Sequence, residues 1–299
     1  MNPPLVVLIP SHDRDGLLER TLESLAACEL PPRLRRVVVA ENGGKLGAEA
    51  LVTKFQSRLP IGYRYTAVGN KSRALNEALT ELTDELVIFY DDDVRLAPAS
   101  LRAYAEVAKD LKAGMFMGGR CLAEYEEPPP DWLSAYLPAS AVGWSLGDQV
   151  CPLTRPDALG FNWAAFAADL KTMGGFNEER GPGTRSRGQE RDMMVRLLAR
   201  GVTGQYIPEA VAWHWVPQSR CSPEWALRRA EQMGAYHGME YRKRPWPRRL
   251  YTRVGLQLRI PWLRFQANRL PAGTPPAARF ARQYKVRWHQ GALLGMRGH

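Results

Sequence analysis

The chain has 299 residues, 45% of them apolar, which is ordinary for a globular protein and leaves room for one large or two small domains. No apolar run approaches the ~20 residues of a membrane helix. Cys28, Cys121, Cys151 and Cys221 lie far apart with no CxxC, which argues against a zinc site or a disulfide framework. The net charge of +10 is uneven: residues 241–299 hold 14 Lys or Arg and no Asp or Glu, so the remainder carries −4. A cationic appendage on a mildly acidic body calls for an anionic partner: membrane surface, nucleic acid or acidic polymer. The opening MNPPLVVLIP has neither a basic start nor a cleavage signature, and with the cysteine usage it makes the cytoplasm the expected compartment.

Leu5–Pro10 is an apolar run that predicts a buried strand. Ser11-His12-Asp13-Arg14-Asp15 is a polar turn. Asp13 or Asp15 is placed to cap a helix over Gly16–Ala27, whose Leu17, Leu18, Leu22 and Leu25 recur at helical spacing. Leu34–Ala40 predicts a second strand, ending in Glu41-Asn42-Gly43-Gly44, a loop able to approach a ligand closely. Ala48–Leu59 reads as a helix and Ile61–Ala67 as a third strand. Gly69–Leu79 is a loop opening a helix that runs to about Leu82. Leu86–Tyr90 is a fourth strand, without polar alternation and therefore buried on both faces as in a parallel sheet. Pro98 suits a helix first turn, and the helix continues over Ala99–Lys112. Four strand–helix alternations predict right-handed βαβ units and a mainly parallel sheet, with the polar loops gathered on one edge.

Met115–Cys121 predicts a further strand. Leu122–Asp157 is proline-rich and irregular, of the kind that forms lids and binding loops. Trp132, Tyr136 and Trp144 within it either line a sugar site or pack the core. Leu159–Trp163 is short and apolar, and Ala164–Met173 reads as a helix closed by Gly174-Gly175. Phe176–Gly188 is a Gly- and Arg-rich loop, and Gln189–Arg200 is a helix ended by Gly201. Tyr206–Pro208 and Ala210–Trp215 are short extended segments, and Pro223–Tyr241 is helical.

Asp91, Asp92 and Asp93 follow Tyr90 at once. Three adjacent carboxylates repel one another, and burying an unpaired charge is costly. A divalent cation that favours oxygen ligands, Mg2+ or Mn2+, relieves the repulsion; the alternative is a solvated turn that caps the next helix. If strand geometry carries on, Asp91 and Asp93 point to one side and Asp92 to the other. In open α/β sheets ligands bind just beyond the carboxyl ends of strands, where these residues fall. The other chemistry-bearing groups are the Ser11–Arg14 turn, Glu41-Asn42, and Glu190/Asp192 with His214. Glu190 opens a helix, where the dipole favours a carboxylate whatever its role. It lies two residues from Asp192, so the pair does not share a helix face and one of the two enters the cleft. His214, between Trp213 and Trp215, is either a structural histidine or a ligand for the same cation.

In this order and spacing the chain resembles glycosyltransferase family 2, whose members have the GT-A fold. The matching stretches run from Leu5 to Val216. They are the opening strand with Pro10-Ser11, SRALN at Ser72–Asn76, the DxD at Asp91–Asp93, GGFNE at Gly174–Glu178, GQERD at Gly188–Asp192 and VAWH at Val211–His214. The resemblance implies an α/β architecture with a GT-A-type, mainly parallel central sheet flanked by helices over 1–216. Residues 1–112 would be the nucleotide-binding half and 113–216 the acceptor half, with a basic helical extension over 217–299. It implies an enzyme that moves a sugar from a nucleotide-diphosphate donor, a UDP-sugar foremost, to an acceptor hydroxyl with inversion. It places Pro10, Ser11, Arg14 and Glu41 around the base and ribose, and Arg73 and Asn76 near the base and diphosphate. Asp91 reaches the ribose, Asp92 joins the donor site, and Asp93 with His214 holds the Mn2+ or Mg2+ that bridges the phosphates. Position 190 matches the family's general base, usually the Asp of an ED pair; here the pair reads Gln189-Glu190, and Asp192 is the fallback. Glu41 stands where an Asp is common.

Two other readings compete. A nucleotidyltransferase shares the half-fold and the acidic site, but would carry a Gly-rich, Arg/Lys-containing phosphate loop where this chain has Ser11-His12-Asp13-Arg14. A non-catalytic basic protein would act through 241–299, where arginines interleave with Trp246, Tyr251, Trp262, Phe265, Tyr284 and Trp288, and Leu256, Ile260, Leu263 and Phe265 form an amphipathic pattern. The acidic body and the absence of a nucleic-acid motif favour an anionic membrane surface over nucleic acid. The expected location is then the cytoplasm, at the inner face of the membrane, with a glycan, glycolipid or small molecule as acceptor.

Overall fold

The structure, a computed structural model of the chain, describes residues 2–184 and 188–297; Arg185 to Arg187 of the Gly- and Arg-rich loop lie outside the described residues. The chain divides into two compact units. The first comprises Met1–Glu124 and Val142–Trp215, and the second Tyr125–Ala141 and Val216–His299.

The first unit begins with four βα repeats. In order they are β1 (Leu5–Ser11), α1 (Asp15–Ala26), β2 (Leu34–Asn42), α2 (Ala48–Phe55), β3 (Ile61–Thr66), α3 (Lys71–Leu79), β4 (Leu86–Tyr90), the short β5 (Val94–Leu96) and α4 (Ser100–Val107). Along the chain then come β6 (Met115–Tyr125), two single-turn helices of the stretch that belongs to the second unit, α5 (Asp131–Ser134) and α6 (Ala139–Val142), and, back in the first unit, β7 (Cys151–Pro152), β8 (Asn162–Phe166), α7 (Ala167–Thr172), α8 (Gln189–Ala199) and β9 (Thr203–Val216). The sheet order is β3-β2-β1-β4-β8-β6-β9-β5, with β7 on β9. The first four strands pair in parallel, and β8 runs antiparallel to β4 (Leu86↔Phe166 to Tyr90↔Asn162).

Every residue of β1 and β4 is buried, and the two faces of these strands serve two cores. Leu5, Val7, Ile9, Leu86, Ile88 and Tyr90 pack with Leu18 and Leu22 of α1, Phe55 of α2 and Tyr104 of α4. Val6, Leu8, Val87 and Phe89 pack with Leu75 and Leu79 of α3 and Met193 and Leu197 of α8. This is the three-layer arrangement that unalternating apolar strands require.

Three expectations change, and one open alternative, that of Trp132, Tyr136 and Trp144, goes to packing. The stretch from Ala164, read as helix, is strand until Phe166, because Ala164 and Ala165 sit fully buried between β4 and β6; tertiary context overrides alanine's helix propensity. The two extended segments around His214 are one strand of 14 residues, β9. Neither Asp13 nor Asp15 is the N-cap of α1; Arg14 stands there, with no side-chain cap. Trp132, Tyr136 and Trp144 all pack. Trp144 meets Tyr206 edge-on at 5.3 Å; in the second unit Trp132 and Tyr136 stand 5.1 and 5.0 Å from Phe280.

The second unit contains three long helices, α9 (Pro223–Arg242), α10 (Trp246–Asn268) and α11 (Pro276–Arg297). Ser222 caps α9, its Oγ accepting the Trp225 N–H at 3.1 Å. Glycines let α9 and α11 touch backbone to backbone. A Cβ on Gly234 would fall 2.0 Å from the Trp288 carbonyl oxygen, and one on Gly291 1.9 Å from that of Glu231. Leu256, Ile260 and Leu263 are the buried residues of α10.

Candidate active site

The site forms where β1, β2 and β4 end side by side and the sheet changes from parallel to antiparallel. Residues 91–93 leave strand geometry as soon as Tyr90 ends β4, turning before β5 begins at Val94. The alternation of a continued strand is therefore lost. Asp92 and Asp93 face one cation together, and Asp91 is the one that diverges. The Arg14 Nη1 donates to Asp92 Oδ1 at 3.2 Å and to Asp93 Oδ2 at 2.5 Å. The Ser11 hydroxyl donates to Asp92 Oδ2 at 2.8 Å. Asp91 Oδ1 instead receives the Lys71 ammonium at 2.5 Å. The chain's own cations thus offset the repulsion within the carboxylate triplet.

Burial pushes the Asp92 carboxyl up to about 6, although Arg14 opposes the shift. Burial also works against ionisation of Asp93, but His214 and Arg14 outweigh it and hold that carboxyl below the usual carboxylate range. His214 lies on β9 opposite Val94, 6% exposed, stacked on Phe161 at 4.7 Å. Its Nε2 stands 3.4 Å from Asp93 Oδ1. Among the described residues that Asp93 oxygen is buried without a hydrogen-bond partner, and so is His214 Nδ1.

An orphaned carboxylate oxygen beside an imidazole nitrogen is a donor pair that suits Mn2+ or Mg2+, ions that commonly take one or two protein ligands and complete their shell with phosphate oxygens and water. Among the described residues no three His, Cys, Asp or Glu side chains converge to hold a metal. The residues present therefore fit an ion that takes two protein ligands here and the rest of its shell from elsewhere.

Asp91 also lines a small cavity with Pro10, Lys71, Phe89, Gly160, Trp163, Gln189 and Glu190. Glu190, in the first turn of α8, contributes the carboxylate. It fits because position 160 has no side chain; a Cβ there would stand 2.8 Å from Glu190 Cδ. Burial raises the Glu190 carboxyl above its ordinary value, and the Lys71 charge partly offsets this. Lys71 itself is held charged: burial works against the ammonium, but Asp91 and then Glu190 outweigh it.

Asp192 is engaged by two arginines. Its Oδ2 accepts from Arg196 Nε at 2.9 Å and its Oδ1 lies 3.6 Å from Arg180 Nε. Arg196 in turn donates to the carbonyls of Met173 and Gly175 at 2.6 and 2.9 Å. Asp192 thus braces the loop that leads into α8.

Glu41 is buried at the end of β2, its two oxygens accepting from the Leu46 N–H at 2.7 Å and the Tyr63 hydroxyl at 2.5 Å. Arg73 and Asn76 are not brought to the carboxylates. The Asn70 side chain caps α3 by accepting the Arg73 N–H at 3.0 Å, and the burial of Ala74, Leu75, Ala78 and Leu79 sets which face of the helix turns inward. Lys71 and Leu75, four apart, share the face that lines the cavity. Arg73 pairs with Glu77 at 3.3 Å instead, and Asn76 exchanges two hydrogen bonds with the Phe176 backbone. Lys71 and Gly160 are the site residues that pattern reading passed over. Both lie beside stretches that the sequence singles out; the packing of α3 turns Lys71, not Arg73, toward the cavity.

The profile of glycosyl transferase family 2 matches residues 6–174, more than half the chain. The chain belongs to glycosyl transferase family 2. This glycosyltransferase is 30% identical over 230 residues to the succinoglycan biosynthesis protein ExoM of Rhizobium meliloti (strain 1021), covering 74% of this chain and 70% of that protein. It is 29% identical over 233 residues to the validoxylamine A glucosyltransferase of Streptomyces hygroscopicus subsp. limoneus, covering 67% of this chain but only 49% of that one. Among solved structures, a mannosyltransferase from Pyrobaculum calidifontis in complex with GDP-Man and Mn2+ matches with a TM-score of 0.61 at 20% identity, over 100% of this chain and 88% of that one. That likeness is one of fold, and the fold is GT-A.

Proposed function

We propose that this enzyme transfers a sugar from a nucleotide-diphosphate donor to an acceptor hydroxyl, with inversion, and that Glu190 is the general base. The observation that carries the reading is the contrast between the two acidic residues of α8. Asp192 is committed to Arg196 and Arg180, while the Glu190 carboxyl sits in the cavity beside the Lys71–Asp91 pair. The acceptor oxygen attacks the anomeric carbon, and the bond from that carbon to the diphosphate breaks with its electrons leaving on the diphosphate. The hydroxyl proton passes to Glu190, whose raised basicity suits it to accept that proton.

On the donor side, Ser11 and Arg14 fix Asp92 and Asp93 in place. Asp93 and His214 are the residues that would hold Mn2+ or Mg2+, and such an ion, when bound, neutralises charge on the departing diphosphate. The Mn2+ and GDP-Man bound by the Pyrobaculum neighbour support this reading. Pro10 and Asp91 are read as donor contacts; Glu41, being fully engaged, shapes the end of β2 around the base and ribose. Residues 1–216 are read as the catalytic part. The relative named for succinoglycan biosynthesis supports a saccharide acceptor. The basic helical extension, 217–299, is read as the part that holds the enzyme at an anionic surface.

The test is a panel of UDP- and GDP-sugars incubated with Mn2+ and a saccharide acceptor, followed by chromatography of the nucleotide products. Release of free nucleoside diphosphate from one donor supports the proposal. Pyrophosphate release from a nucleoside triphosphate and a sugar phosphate, with no turnover of nucleotide sugars, would support a nucleotidyltransferase instead.

A further inference from the structure

The α10 helix has two apolar faces, and only one is covered. Leu256, Ile260 and Leu263 are buried. Trp246, Leu250, Val254, Leu258, Trp262 and Phe265 are not: Leu258 is 72% exposed, Trp246 64% and Trp262 54%. At ~100° per residue, these six fall within an arc of roughly 160° opposite the buried three. Four exposed arginines edge that arc, Arg248 and Arg259 along one side and Arg253 and Arg264 along the other. No Asp or Glu occurs anywhere in residues 241–299.

We propose that α10 lies in the plane of an anionic lipid bilayer, with the Trp246–Phe265 face in the acyl boundary and the flanking arginines at the phosphates. The proposal deepens the reading of 217–299 given above and rests on it. A broad apolar sector bordered by cations on both sides matches the two layers of a bilayer surface, because arginine stems lie along apolar surface while their heads reach the headgroups. A second copy of the chain is a poor occupant of this face. Meeting face to face, it would bring more arginine to the same place and no carboxylate of the 241–299 segment to meet it. Among the described residues no helix is long and apolar enough to cross a membrane, so the contact is one of lying on the surface.

The experiment is flotation of the full chain with vesicles of phosphatidylcholine, alone or with one third phosphatidylglycerol, in the absence of any nucleotide sugar. The variants are a Trp246→Ser/Leu258→Ser/Trp262→Ser triple and an Arg248→Gln/Arg253→Gln/Arg259→Gln/Arg264→Gln quadruple. Circular dichroism and melting temperature establish that both fold, as replacement of exposed side chains leads one to expect. The wild type should float with anionic vesicles and lose affinity as salt rises. The triple variant should bind roughly tenfold or more weakly, and the quadruple should lose the preference for anionic over neutral lipid. Three results overturn the proposal: no flotation of the wild type, equal binding by the triple variant, or light scattering showing a dimer that the triple variant disrupts while vesicles bind neither protein. Because donor turnover plays no part in this assay, its failure is separate from failure of the sugar-transfer reading.

Discussion

Glu190 and Asp192 stand two residues apart on one helix, and their surroundings divide them. Glu190→Gln keeps the shape of the cavity and removes the proposed proton acceptor. It should lower kcat by about 10² to 10⁴ while nucleoside diphosphate affinity, measured by calorimetry, stays within twofold. Asp192→Asn should leave kcat within a few-fold and instead lower the melting temperature, because it loosens the Arg196 brace on Met173 and Gly175. The opposite pattern in the two variants would exchange their roles. As the proposed base, Glu190 would have to be ionised to accept a proton, and burial raises its pKa, so the rate should fall as pH drops through a value above the ordinary carboxylate range. Lys71 opposes that shift. Lys71→Met should therefore move the acid limb of the pH–rate profile to higher pH, and an unmoved limb would show that another group controls it. Gly160→Ala pushes on the flexible Glu190 side chain and not on backbone. It should cost about tenfold or more in kcat with little loss of melting temperature. The burial of Asp92 and Asp93 behind β4 was legible in the sequence, because the triplet follows a strand apolar on both faces; the turn that sends Asp91 to Lys71 was not. Nor was Lys71, since which face of α3 turns inward is set by the packing of Ala74, Leu75, Ala78 and Leu79, a tertiary effect.

At the scale of elements, the four βα repeats could be read directly, because continuous apolar runs and helical leucine spacing are local signals. β8 could not. Its Asn162-Trp163-Ala164-Ala165-Phe166 carries helix-forming alanines, and only its neighbours on both sides make it a strand. The close contact of α9 with α11 was equally silent, since glycines spaced by four mean little until both helices are placed. That contact gives a prediction of its own. Gly291→Val puts a branched side chain where even a Cβ lies 1.9 Å from the Glu231 carbonyl. It should destabilise the helical unit by about 3 kcal/mol or more, read as an early thermal transition; a melting curve like that of the wild type would mean the helices separate more easily than their packing suggests.

For the molecule as a whole, charge was the most legible property and chain division the least. The cationic tail stands out in composition alone, whereas residues 125–141 join the second unit through Trp132 and Tyr136 against Phe280 and Tyr284, contacts between segments far apart in sequence. The account of the catalytic unit rests on a cation held by Asp93 and His214 and shared with a donor diphosphate. The most direct test is calorimetric titration of UDP and of GDP into the wild type and into Asp93→Asn, each with and without Mn2+. The account predicts that one nucleotide binds the wild type at least tenfold more tightly with Mn2+ present, and that Asp93→Asn abolishes this gain. Nucleotide binding that is indifferent to Mn2+, or a metal effect that survives in Asp93→Asn, would contradict it.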